Sequence, residues 1–169
     1  DVATADSGKM KNMREVFVPI LENHGVDLLL FGHEHNYQRS KFIDGHYGVS
    51  STFDPATMVK QAGLGDPAVD GPYVKSPGPH NGAVFTVAGS SGKLTVATLN
   101  HAAMAVNRTE LGSVVLDVTG RELVARFINS TGVVRDTFSI VHNSAPLANE
   151  ATFTGNEDAS MAVTLGGTD

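Results

Sequence analysis

Apolar positions along this chain fall into two periods. Met13, Val16, Phe17, Ile20 and Leu21 recur at i, i+3, i+4, i+7 and i+8, the spacing of one helical stripe. Asp6-Ser7-Gly8 offers N-capping side chains ahead of it, and Gly25 can close it in a left-handed cap. Pro19 falls inside the stripe and predicts a kink or a restarted turn. His24, beside the cap, reads as a capping or solvent-facing residue near the helix end. Residues 26–31 then make a continuous apolar run of strand length, which Gly32 stops. Such a run suits a strand buried on both faces, as in a parallel sheet between layers. Helix, glycine and buried strand together are half of a βαβ unit.

Further along, residues 41–81 mix glycine and proline, which mark loops and turns. His46 and His80 lie in this span and are expected to face solvent. Residues 82–88 form a second apolar, β-rich run that ends in Gly89-Ser90-Ser91-Gly92. A glycine-rich loop after a strand either cradles phosphate through backbone N–H groups or is simply a tight strand exit. Three alternating runs follow. Val114, Leu116 and Val118 line the first, Leu123, Ala125 and Phe127 the second, Phe138 and Ile140 the third. Tight turns between them predict an antiparallel meander. The pattern as a whole predicts an α/β (α+β) fold: a β-sandwich flanked by helices and ending in that meander.

Composition narrows the function classes. With 169 residues, 41% hydrophobic and 18% charged, the chain has enough material for one globular core. A net charge of −6 without any Lys/Arg block argues against nucleic-acid binding. No apolar run of about 18 residues exists for a helical membrane span. Cysteine is absent, so any metal must sit on His, Asp, Asn or Glu. The chain opens without Met and without a leader pattern, and reads as an internal fragment.

The chemistry concentrates where the first apolar run stops, at His33-Glu34-His35. Two imidazoles one residue apart can both reach a crevice at the carboxyl end of a strand. In a chain with seven histidines an H-x-H pair arises by chance roughly 0.3 times, so context must carry the reading. Here the context is Gly32-His33-Glu34-His35-Asn36-Tyr37-Gln38-Arg39. It resembles the G-H-x-H block of calcineurin-like metallophosphoesterases, in the purple acid phosphatase-like form that continues H/N-Y-E-R, with Gln38 in place of Glu. The helix before it, the Gly-Ser-Ser-Gly loop and Gly112-Ser113-Val114-Val115-Leu116-Asp117-Val118 resemble the same family. Asn100-His101-Ala102-Ala103-Met104 resembles its H-P-A-M element with Ala102 for Pro, which makes His101 a candidate for the cleft.

The resemblance implies two divalent or trivalent metal ions (Fe, Zn or Mn) acting on a small phosphate ester. His33 would ligate one metal and His35 the other, with Glu34 and Asn36 flanking them and orienting the rings. It covers residues 1–142, the carboxyl-terminal half of the family domain. The D-x-G, G-D-x-x-D and G-N-H motifs of the first half have no convincing match, so the missing amino-terminal half is an expected partner and these residues alone are expected to be inactive. Residues 143–150 read as a linker. Residues 151–169 resemble the opening of a bacterial cadherin-like or immunoglobulin-like repeat, in which Glu157, Asp158 and Asp169 would be calcium ligands. That resemblance implies a secreted, periplasmic or cell-surface location. Two other readings stay open: an adhesive module with an inert phosphatase-like half, and a mononuclear zinc site on His33, His35 and either His80 or His101.

Overall fold

The computed structural model describes residues 8–143, 147–148 and 167–168. The Asp6-Ser7 cap and the repeat-like tail with Glu157, Asp158 and Asp169 lie outside the described residues. The helical segment runs as α1 (Gly8–Asn12), a π-helical turn (Met13–Phe17) and α2 (Val18–Asn23). Pro19 sits in the first turn of α2, where its missing N–H is tolerated. Just before it, Val18 N–H reaches back to Met13 O, so the helix accommodates the proline by opening one turn to i→i+5 bonding. At the far end Gly25 adopts φ +67°, and His24 Nδ1 lies 2.8 Å from Ile20 O.

The strands are β1 (Leu28–Phe31), β2 (Tyr37–Ser40), β3 (Phe42–Ile43), β4 (Val59–Gln61), β5 (Tyr73–Lys75), β6 (Val84–Ala88), β7 (Met104–Arg108), β8 (Gly112–Thr119), β9 (Glu122–Asn129) and β10 (Val134–His142). The first sheet has the order β1-β6-β2-β7. β1 is parallel to β6, with Leu28 opposite Val84 and Phe31 opposite Val87. β2 is antiparallel to both β6 and β7. The second sheet has the order β5-β10-β9-β8. Its antiparallel β8–β9–β10 portion is the expected meander, and β5 joins it parallel to β10. A short β3–β4 pair flanks the sheets, and residues 147–148 pair with 167–168.

Alternating positions explain the core between the sheets. Ala125, Phe138 and Ile140 point inward from β9 and β10 to meet Phe42, Tyr73 and Val84. A smaller cluster of Val18, Leu29 and Ala83 joins α2 to the first sheet.

Two expectations need correction. Among the described residues β1 is an edge strand paired with β6; Leu29 is buried against α2, while Leu30 is 50% exposed. It is therefore not buried on both faces. Four of the five stripe residues also face outward: Met13, Val16, Phe17 and Ile20 are all about half exposed. The helix instead turns Val18, Leu21 and Glu22 toward the sheet. Polar bonds set that rotation, because Glu22 accepts from Gly45 N–H at 3.2 Å and Arg14 Nε donates to Tyr47 O at 2.7 Å.

Candidate metal centre

Strand order places the histidine pair. β1 and β2 lie on opposite sides of β6, so residues 32–36 must cross the carboxyl end of β6. There β6 runs out into Gly89, and the two segments touch. A Cβ on Gly89 would stand 2.0 Å from Glu34 O, so only glycine lets this crossing close. Gly89 N–H donates to Asn36 O at 3.2 Å, and Thr95 N–H donates to His35 O at 3.0 Å.

On this crossing His33 is exposed and adopts φ +76°, a conformation that costs a non-glycine residue roughly 1–2 kcal/mol. His35 is half-buried, with Nδ1 3.0 Å from Thr95 Oγ1. When Nδ1–H donates to that hydroxyl, Nε2 keeps its lone pair for a metal, the usual arrangement of a ligating histidine. Glu34 is half-buried, and Asn36 is fully buried. Asn36 Oδ1 accepts from Gln38 Nε2 at 2.8 Å, while its Nδ2 and the buried Ser90 Oγ have no partner among the described residues. Unpaired buried polar atoms are costly and are usually met by water or a ligand. The two imidazoles can offer nitrogen lone pairs to a divalent cation, whereas the unpaired Asn36 Nδ2 is a donor and cannot ligate one. Among the described residues no third His, Asp or Glu joins them in a ligand group, so the crossing supplies part of a metal shell.

The next residues of the motif do something different. Tyr37 and Arg39 both point from β2 into the gap between the sheets and converge on Asp136 of β10. Arg39 Nε and Nη2 donate to the two Asp136 oxygens at 2.6 and 2.9 Å, and Tyr37 Oη donates at 2.6 Å. Arg39 Nη1 also donates to Leu64 O, its guanidinium lies 4.8 Å over the Phe138 ring, and Tyr37 stacks on Phe127 at 4.1 Å. Burial, reinforced by the Asp136 charge, pushes the Tyr37 hydroxyl well above its ordinary range. For Arg39 burial opposes the charge, but the Asp136 bonds outweigh it and hold the guanidinium charged. These residues bolt the two sheets together. Asp136 had no signal in the sequence, because a bulge between Val134 and Asp136 interrupts the alternation there.

The remaining candidate histidines collect at the other end of the first sheet. Ser40 pairs with Met104, and Lys41 N–H donates to Ala103 O, so His101 sits beyond the far end of β2. At about 3.3 Å per residue that is roughly 15–20 Å from His35. The structure does not bring His101 to the crossing. Its Nδ1 accepts from Ala103 N–H at 3.1 Å, and its ring meets His46 at 5.5 Å and Phe53 at 6.1 Å. Burial pushes the pKa of both imidazoles down, and for His46 the neighbouring His101 and Arg14 add to it. His46 is therefore partly buried, not solvent-facing.

His80 is exposed, but it is anchored: Nδ1 lies 3.1 Å from Asp44 Oδ1 and Nε2 2.8 Å from Asn23 Oδ1. Beside it Glu22 is buried and bonded to Tyr47 Oη. Burial pushes the Glu22 carboxyl up against the pull of the Tyr47 bond. Glu22, Asp44 and His80 bring ligand atoms within 4.8 Å of one another. Sequence spacing could not reveal this group, since its members come from three separate segments. Clefts of about 450 and 390 Å³ also open at this end, with His142 in the walls of both.

No protein-family model and no curated protein matches the chain. Among solved structures it is similar to purple acid phosphatase PPD1 from the seeds of yellow lupin, Lupinus luteus. The TM-score is 0.55 and the identity 20%, over 78% of this chain and 20% of that one. The chain thus spans about one-fifth of the length of the phosphatase it matches. The likeness shows the fold, a mixed α/β arrangement built as a partial metallophosphoesterase-like β-sandwich.

Proposed function

We propose that this chain is the histidine-bearing carboxyl-terminal half of a phosphate-ester hydrolase that works with two metal ions. The observation that carries the reading is the crossing itself: His33 and His35 are held over the carboxyl end of β6 by a glycine contact, within a phosphatase-like fold. Ligand loops in α/β sheets sit at that end of the strands.

His33 and His35 would each hold one metal. Thr95 Oγ1 fixes the ring of His35, and Gln38 Nε2 anchors the side chain of Asn36. When bound, the metals would supply Lewis acidity toward phosphate oxygens and an acidified water as nucleophile. Among the described residues no carboxylate joins the pair in a ligand group, so the carboxylates such a centre needs would come from elsewhere. The open edge of β1 and the outward stripe of Met13, Val16, Phe17 and Ile20 are surfaces on which further strands and helices could pack.

The test is hydrolysis of p-nitrophenyl phosphate in the presence of zinc, iron or manganese. This chain alone should show no turnover, whereas a polypeptide extended upstream should turn over and lose activity on His33→Ala/His35→Ala. Robust turnover by this chain alone would overturn the half-domain reading. Activity of the extended protein that survives the double substitution would overturn the ligand assignment.

A further inference from the structure

At the amino-terminal end of β1 and β6, away from the histidine crossing, three chain segments meet. Glu22 lies in the last turn of α2, Asp44 follows β3 and His80 precedes β6. Glu22 and Asp44 are only 3% and 7% exposed, and one ligand atom from each residue of the triad lies within 4.8 Å of the other two. Buried carboxylates this close repel unless cations compensate them. Lys60 Nζ stands 3.4 Å from Asp44 Oδ2 and compensates that residue in part. Among the described residues Glu22 receives neutral donors directly, from Gly45 N–H and Tyr47 Oη.

The imidazole supplies an independent observation. His80 Nε2 lies 2.8 Å from Oδ1 of Asn23, a residue outside the triad. Donation to that oxygen is what a metal-ligating histidine does with its second nitrogen. In a neutral ring that donation leaves a lone pair on Nδ1, which faces Asp44 Oδ1 at 3.1 Å. Two lone pairs do not face each other at that distance without a cation. A second ring proton would serve Asp44 at short range, whereas a divalent ion held by all three groups would also serve Glu22.

We propose that Glu22, Asp44 and His80 form a structural site for a divalent transition-metal ion. It is separate from His33 and His35 and ties the end of α2 to the residues after β3 and before β6. One imidazole nitrogen with two carboxylates favours Zn²⁺ over Ca²⁺ or Mg²⁺, which prefer all-oxygen shells. The site does not depend on the phosphoesterase reading.

The test uses the full chain carrying His33→Ala/His35→Ala, stripped of metal and titrated with Zn²⁺ by calorimetry. About one equivalent should bind. Adding His80→Gln, at an exposed position, should weaken binding at least about tenfold, and Asn23→Ala by about tenfold. Far-ultraviolet circular dichroism in chelator should show the same fold for each variant. A measurement without further substitution supports the same point: Zn²⁺ should raise the melting temperature of the double-alanine chain, and EDTA should reverse the rise. Absence of Zn²⁺ binding in that chain, or binding unchanged by both His80→Gln and Asp44→Asn, would overturn the site. Loss of phosphatase activity would bear only on His33 and His35.

Discussion

The inner face of the first sheet and the outward side of its helix behave oppositely. On the inner face, Tyr37 and Arg39 are fully buried and every strong polar group of theirs meets Asp136 or a backbone carbonyl across the gap. On its outward side, the helix leaves Met13, Val16, Phe17 and Ile20 about half exposed. Both carry strong sequence patterns. Only the inner one is completed within the described residues. A pattern of apolar positions therefore specifies that a surface is meant to be covered, and not where the cover comes from.

The largest effect should come from cutting the inner bolt. Asp136→Ala would leave the Arg39 guanidinium buried without its carboxylate, a loss of about 3–5 kcal/mol. Thermal denaturation should show a midpoint lower by roughly 10 °C or more. A shift under about 2 °C would mean that the sheets are held by apolar packing alone. Next comes Gly89→Ala, which puts a methyl group against Glu34 O and should cost about 1–3 kcal/mol. Because the strain falls on the histidine crossing, nuclear magnetic resonance shifts should change at residues 33–36 more than at the meander.

A smaller effect is expected from pH. Burial lowers the pKa of His46 and His101 in the folded chain, so the unfolded chain binds more protons just below the ordinary imidazole value of about 6.5. Stability should be complete above that pH and decline as pH falls through it, since protonating His101 Nδ1 also breaks its bond from Ala103 N–H. Urea midpoints at pH 7.5 and 5.5 should differ less in His46→Gln/His101→Gln than in the parent. An identical difference would remove these rings as the cause. The smallest effect belongs to the outward side of the helix: Phe17→Ser or Ile20→Ser should change stability by no more than about 0.5 kcal/mol. A loss above about 2 kcal/mol would show that the stripe is covered in solution.

Much of the architecture was legible because it is local. The meander followed from alternation and turns, the strand at 82–88 from its β-rich run, and the restarted helix from Pro19. The histidine pair was legible as a motif, and strand order then set it over β6. What stayed hidden was long-range. Asp136 lies 97 residues from Arg39, in a bulge that breaks period two. Glu22, Asp44 and His80 show no common spacing. The orientation of the helix depended on Glu22 and Arg14 finding partners at Gly45 and Tyr47, which no stripe of apolar residues records.

The most direct test of the histidine crossing as a metal centre is a Zn²⁺ titration of this chain followed by side-chain ¹⁵N resonances of its histidines. Ring nitrogens of His33 and His35 should shift on addition of Zn²⁺ while those of His24 and His101 stay in place. Rings at 33 and 35 that remain unmoved as Zn²⁺ is added would rule out a metal centre at the crossing.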